Sequence, residues 1–176
     1  MVPQALFSPN FMEAEYFAQS GADFSDCGAY RYRLWRRWGE GGKVTFVMLN
    51  PSTADATRND PTIERCHRRA VAMGFSALDV VNIFGYRATD PKDLKRATEP
   101  IGKDNDKAII TSLKDAEMTI CAWGSHGDHL NRHEAIRRLL KDNNLAAHVL
   151  SLTTKGQPGH PLYLSYSKQP FPWADI

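Results

Sequence analysis

The chain has 176 residues, 42% of them hydrophobic, enough for one sizeable core and within the usual size of a single domain spanning 1–176. A net charge of +2 and a sequence pI of 8.4 are compatible with nucleic-acid binding without indicating it. There is no run of about 18 apolar residues and no basic-then-apolar N-terminal stretch, so neither a membrane span nor a secretory signal is expected, and the predicted location is cytoplasmic. Cys27, Cys66 and Cys121 are widely spaced and form no C-x-x-C pair. They read as reduced thiols, two of them in the core, and not as a zinc or redox site.

In chain order, residues 1–28 have mixed polarity and read as an irregular lead-in. Alternation from Tyr30 to Leu34, glycines at 39, 41 and 42, and the apolar run Val44–Leu49 predict an N-terminal β-hairpin with a buried second strand. Within it Arg31, Arg33, Arg36 and Arg37 are interleaved with Tyr30, Tyr32, Trp35 and Trp38. That stretch is either a basic, aromatic surface for phosphates and bases or an edge strand protected by charge.

Asn50-Pro51-Ser52-Thr53 is a polar loop. Asp60-Pro61 is a helix start, with Asp as N-cap and Pro in the first turn, and Ile63, Cys66, Ala70 and Met73 share one face before Gly74. A second strand is expected at 78–83, a short helical turn at Asp90-Pro91, a helix from about Asp104 to Ala116, and a third strand at 118–123. Asn131 with Glu134 resembles a capping box opening a helix around Ile136, Leu139 and Leu140, and residues 147–152 form the fourth strand. Strands alternating with helices predict a three-layer α/β/α domain with a four-stranded, mostly parallel sheet, which binds ligands beyond the carboxyl ends of its strands.

Those ends carry Met48-Leu49-Asn50-Pro51-Ser52, Val80-Val81-Asn82-Ile83, Cys121-Ala122-Trp123-Gly124 and, after the fourth strand, Gly159-His160-Pro161-Leu162. In that order the series resembles the motif set of the uracil-DNA glycosylase superfamily, with the first motif nearest to the thymine and mismatch-specific branch. The stretches Met48–Asp55, Asn59–Cys66, Val81–Pro91 and His160–Leu164 are similar to bacterial domain-of-unknown-function family 1643. Met48 stands where the superfamily usually has Gly, Leu162 where it has Ser, and position 50 is not an aspartate.

The superfamily resemblance implies a glycosylase-like hydrolase of N-glycosidic bonds in DNA or a related nucleotide, working without cofactor or metal. Asn50 would orient a water and His160 would donate a hydrogen bond to the departing base, while Asn82 would read the base edge. Pro51, Ser52, Phe84, Tyr86 and Trp123 would line the substrate site. Arg31, Arg33, Arg36, Arg37, Arg87 and Lys155 would meet the nucleic-acid backbone. The three central side chains are expected around one space of the size of a base.

Each residue also has a structural reading. Asn50 would stabilise the turn into Pro51, Asn82 would satisfy backbone groups at the sheet edge, Phe84 would be core, and His160 an ordinary loop histidine. His126, Asp128, His129 and His133 lack the H-E-x-x-H pattern, and a helix starting at Asn131 splits them, so no metal site is expected. A non-catalytic nucleic-acid or nucleotide-binding module on the same fold is the alternative function.

Overall fold

The four apolar runs form parallel strands because between each of them and the next a helix returns the chain over the sheet before the next strand can pair. A computed structural model describes residues 18–174 and residue 176. The elements are β1 (Gln19–Phe24), β2 (Arg31–Arg37), β3 (Lys43–Met48), α1 (Pro61–Ala72), β4 (Ala77–Asn82), α2 (Pro91–Arg96), α3 (Asn105–Lys114), β5 (Met118–Cys121), α4 (Arg132–Asp142), β6 (His148–Val149) and β7 (Phe171–Pro172). Short 3-10 segments cover Ser125–Asn131 and Pro161–Tyr163. No helix of the described residues is long and apolar enough to cross a membrane.

All the strands join one sheet, ordered β1-β2-β4-β3-β5-β6-β7. The central strands β4, β3, β5 and β6 are parallel, as expected, and antiparallel strands extend the sheet at both ends to seven. The extra strands were hidden from pattern reading. β1 leaves Gln19, Asp23 and Phe24 exposed, and it falls inside the expected lead-in, whose residues 1–17 lie outside the described ones. β7 has only two residues.

The expected hairpin of residues 30–34 with 44–49 does not form. β2 pairs instead with β1 and β4, and β3 lies beyond β4. The Gly-rich segment between β2 and β3 is not a tight turn but a saddle over the start of β4: Trp38 N–H donates to the Ser76 carbonyl at 3.0 Å, and Ser76 N–H donates to the Gly42 carbonyl at 2.9 Å. Glycine eases this close approach, since a Cβ at Gly41 would lie 2.5 Å from Ser76 Oγ and force that hydroxyl to move.

The alternation read across β2 is also broken. Phe24 pairs with Arg31 and Asp23 with Arg33, so Tyr32 is an extra residue, a β-bulge. Strict alternation would put Arg31 on the side of Arg33, which faces Asp79 and α3. The bulge moves it to the α1 side, where its Nη1 donates to the Ala54 carbonyl at 2.8 Å.

Two apolar clusters, one per face, hold the layers together. Phe46, Met48, Leu78, Val80 and Ile120 pack against Ile63, Cys66 and Ala70 of α1. On the other face Val47, Val81 and Cys121 pack against Leu94, Ile109, Leu113, Ile136 and Leu140 from α2, α3 and α4. Cys66 and Cys121 are buried free thiols, as expected, and Cys27 is exposed. Asp60 caps α1, its Oδ1 accepting from Ile63 N–H at 2.8 Å. Asn131 occupies the N-cap position of α4, but in a left-handed conformation (φ 54°) with no side-chain capping bond, so the expected capping box is not made.

The arginines of β2 are mostly internal. Arg36 is fully buried, and its guanidinium donates to Asn59 Oδ1 and to the carbonyls of Asp55, Ala56 and Arg58, with distances from 2.7 to 3.2 Å. Arg33 makes a two-pronged pair with buried Asp79, at 2.7 and 3.1 Å, which also accepts from Lys43 Nζ and Ser112 Oγ. Arg37 bonds the carbonyls of Gly39 and Gly41. The expected phosphate-binding role is therefore corrected for Arg31 and Arg36, which point inward, and β2 is not an edge strand. Because an unpaired buried carbonyl costs about 1–3 kcal/mol, Arg36→Met should lower stability in urea by at least about 3 kcal/mol. Arg37→Ala, which affects only loop carbonyls near solvent, should cost less than about 1 kcal/mol in the same measurement.

Candidate functional site

The chain leaves β3 through α1 to reach β4 on one side, and leaves β5 through α4 to reach β6 on the other, with the two helices on opposite faces. Strand order therefore reverses at β3, and a crevice opens at the carboxyl ends of β3 and β5, where α/β sheets place their ligands. A cleft of about 570 Å³ lies there, with Asn50, Asp60, Trp123, Gly124 and His160 among its walls.

Asn50 follows β3 directly. Its Nδ2 donates to the Ala88 carbonyl at 2.7 Å and to the Pro51 carbonyl at 3.1 Å. A reversed amide would set Oδ1 against these two acceptors, so the bonds fix which end of the amide is engaged by the backbone. The same contact ties the loop after β3 to the loop after β4, with Ala88 N–H donating to the Pro51 carbonyl at 3.0 Å.

His160 reaches the cleft from far along the chain because α1 holds its loop. Arg65 donates to the carbonyls of Pro161 and Leu164, and Arg69 to those of Leu164, Ser165 and Lys168. Both guanidinium groups lie over the Tyr166 ring. Gly124 meets this loop with φ 77°, a left-handed conformation, and donates its N–H to the Pro158 carbonyl at 2.7 Å. A Cβ at Gly159 would lie 2.0 Å from Ser151 Oγ, so a larger residue before His160 would have to displace that hydroxyl.

His160 Nδ1 accepts from Leu162 N–H at 3.2 Å. The neutral imidazole therefore carries its proton on Nε2, as a donor. Burial pushes its pKa down to about 4, with the Asp60 carboxylate opposing only in part. Asp60 is the one Asp or Glu in the cleft wall among the described residues. One of its oxygens caps α1, and the sequence reading assigned it that role alone because Asp-Pro at a helix start is fully explained by capping. Tyr163, 82% exposed, stands at the rim with its ring 5.6 Å from that of His160, and no sequence pattern marked it.

The other expected residues divide. Ser52 lines the cleft and donates to Thr89 Oγ1 at 3.3 Å, and Pro51 is buried in the loop beneath. Trp123 is buried in the wall, its Nε1 donating to Gln157 Oε1 at 2.8 Å, and its ring stands edge-on to Trp173. Phe84 is wholly buried core and cannot stack on a ligand. Tyr86 and Arg87 line an adjoining open groove of about 710 Å³ that shares Ser52 and Thr89 with the cleft. Arg87 also bonds the Gly28 carbonyl and lies over Phe24, and Lys155 is exposed. Of the histidine cluster only His126 lines the cleft, while His129 packs on Phe84, and no three His, Cys, Asp or Glu side chains among the described residues converge as a metal site.

Asn82 departs most from expectation. It is 2% exposed and absent from the cleft wall. It meets Asn50 and His160 around a separate pocket of about 40 Å³ beneath the cleft, also lined by Arg31 and Asp60, far too small for a base. The three central residues do converge, but on two levels, with Asn50 and His160 shared between cleft and pocket. Arg31, also 2% exposed, stays protonated at neutral pH although burial lowers its pKa to about 10.

The chain belongs to the family described as "Protein of unknown function (DUF1643)", whose model matches residues 31–162. That span contains Arg31, Asn50, Asp60, Asn82 and His160. No curated protein and no solved structure matches the chain.

The folded His160 value lies below the ordinary 6.5, so the unfolded chain binds the additional proton. The contribution to stability is fully present above pH 6.5 and is lost as pH falls towards about 4. An NMR titration should give His160 a midpoint near 4 with the proton on Nε2. Buried His67 is shifted in the same direction, so the stability of His160→Gln should fall less steeply over this range than that of the wild type without becoming flat.

Proposed function

We propose that the cleft holds a base joined to a sugar and hydrolyses the N-glycosidic bond in DNA or a related nucleotide. The observation that carries this reading is that one cleft is lined both by Asn50, whose nitrogen is engaged by two carbonyls, and by the neutral His160 donor. The central parallel strands with helices on both faces, and the motifs at the strand ends, agree with the uracil-DNA glycosylase resemblance and support the finer assignment to that fold.

In this scheme Asn50 Oδ1 accepts a hydrogen bond from the attacking water and orients it, but an amide cannot take the proton. The water oxygen bonds to the anomeric carbon, the C–N bonding pair leaves with the base, and His160 Nε2–H stabilises the negative charge developing there. The free oxygen of Asp60 takes the proton released by the water. A neutral imidazole suits this role, since it donates without needing to be charged at physiological pH.

A screen of single- and double-stranded oligonucleotides and of free nucleotides, reading released base and abasic sites, tests the reading. Asn50→Ala should abolish most release with ligand affinity nearly unchanged, because the oriented water matters only as the bond breaks. His160→Ala should slow release by about 100-fold or more. Asp60→Asn keeps an N-cap of equal quality and loses the proton acceptor, so it should fold normally and lose about 100-fold in rate. Equal release by wild type and Asn50→Ala would overturn the catalytic assignment. A ligand that binds in the cleft with no release would make this a nucleic-acid or nucleotide-binding module.

A further inference from the structure

Two residues that line the pocket beneath the cleft carry buried polar atoms whose needs are opposite. Arg31 Nε is a donor and Asn82 Oδ1 an acceptor, and both are buried without a protein partner although each residue is 98% or more removed from solvent on one face of the sheet. The pocket of about 40 Å³ is bounded also by Asn50, Asp60, Thr62 and His160. One ordered water needs about 10–15 Å³ of such space, so the pocket is roomy enough to hold one.

The chemistry selects among occupants. An anion would meet the Arg31 guanidinium favourably but would be repelled by Asn82 Oδ1 and by the Asp60 carboxylate. A cation would face Arg31, which carries a full positive charge. An apolar group would leave both orphan atoms unpaired, which folded proteins rarely tolerate. Water alone meets both needs, accepting from Arg31 Nε–H and donating to Asn82 Oδ1, with one hydrogen and one lone pair left over.

We propose that this pocket is a binding site for one ordered water, held between Arg31 Nε and Asn82 Oδ1, and that it forms part of the floor of the cleft. Asn50, Ser52, Asp60, Thr62 and His160 line both spaces, so the remaining hydrogen-bonding capacity of the water is directed at the wall that separates them. Arg31 and Asn82 are then positioning residues, which act on whatever occupies the cleft through the water. The β2 bulge at Tyr32 is what delivers Arg31 to this place. The inference goes beyond the hydrolase reading and does not depend on it, because it concerns two unpaired atoms and a volume.

A high-resolution crystal structure of the ligand-free wild type should show one density peak within hydrogen-bond distance of both Arg31 Nε and Asn82 Oδ1. Asn82→Leu removes the acceptor and should lose the peak, whereas Asn82→Asp keeps an acceptor oxygen and should retain it, with a higher unfolding midpoint than the leucine variant. A bromide soak should give no anomalous signal in the pocket. Absence of the peak in the wild type, its persistence in Asn82→Leu, or an anomalous bromide peak would overturn the proposal, the last in favour of an anion site. The wild-type map is decisive even if the leucine variant fails to fold.

Discussion

The guanidinium groups of Arg31 and Arg36 hold the loop between β3 and α1. Between them they donate to the carbonyls of Ala54, Asp55, Ala56 and Arg58. This loop has neither helix nor ladder to satisfy its backbone, and it separates Asn50 from Asp60. A buried cation is costly unless hydrogen-bonded, and carbonyl dipoles meet much of that need here. The basic character of β2 is thus spent on the interior of the domain, and the loop that brings an amide and a carboxylate to the cleft has a fixed course.

Topology does the rest of the positioning. Reversal of strand order at β3 opens the crevice, the contact of Asn50 with Ala88 closes one side, and α1 builds the other. One helix serves twice, since Asp60 stands at its start and Arg65 and Arg69 on its flank secure the loop of His160. The site therefore combines an amide, a neutral donor and a carboxylate, each of whose side chains is hydrogen-bonded to backbone groups. Such fixation favours constant geometry over changes of charge.

Much of the fold was legible in the sequence. The central strands fall where the apolar runs lie, and α1 begins at the residue its Asp-Pro signal marks, because burial on both faces leaves an unmistakable pattern. The outer strands were not legible: β1 is partly exposed, and β7 is too short to have a period. Pairing was misread because glycines at 39–42 suggested a turn when they serve a saddle over Ser76. Asn50 and His160 both line the cleft, the first expected from its place after a strand and the second from a motif well beyond one. Arg31 and Arg36 were not legible, since a pattern of charges cannot show that carbonyls will surround them, and the bulge that redirects Arg31 has no signature in alternating residues. Asn82 was placed correctly along the chain but one layer too high.

The grip of α1 on the tail spans 96 positions from Arg65 to Pro161 and 99 from Arg65 to Leu164. Contacts so distant along the chain close only after the intervening segments are ordered, because the entropy of loop closure is offset by little until then. The cleft thus belongs to the last stage of folding. A growing chain that has made α1 and all the central strands still has no His160 in place, so the wall of the cleft around His160 is completed only when the segment from Pro161 to Lys168 docks on α1.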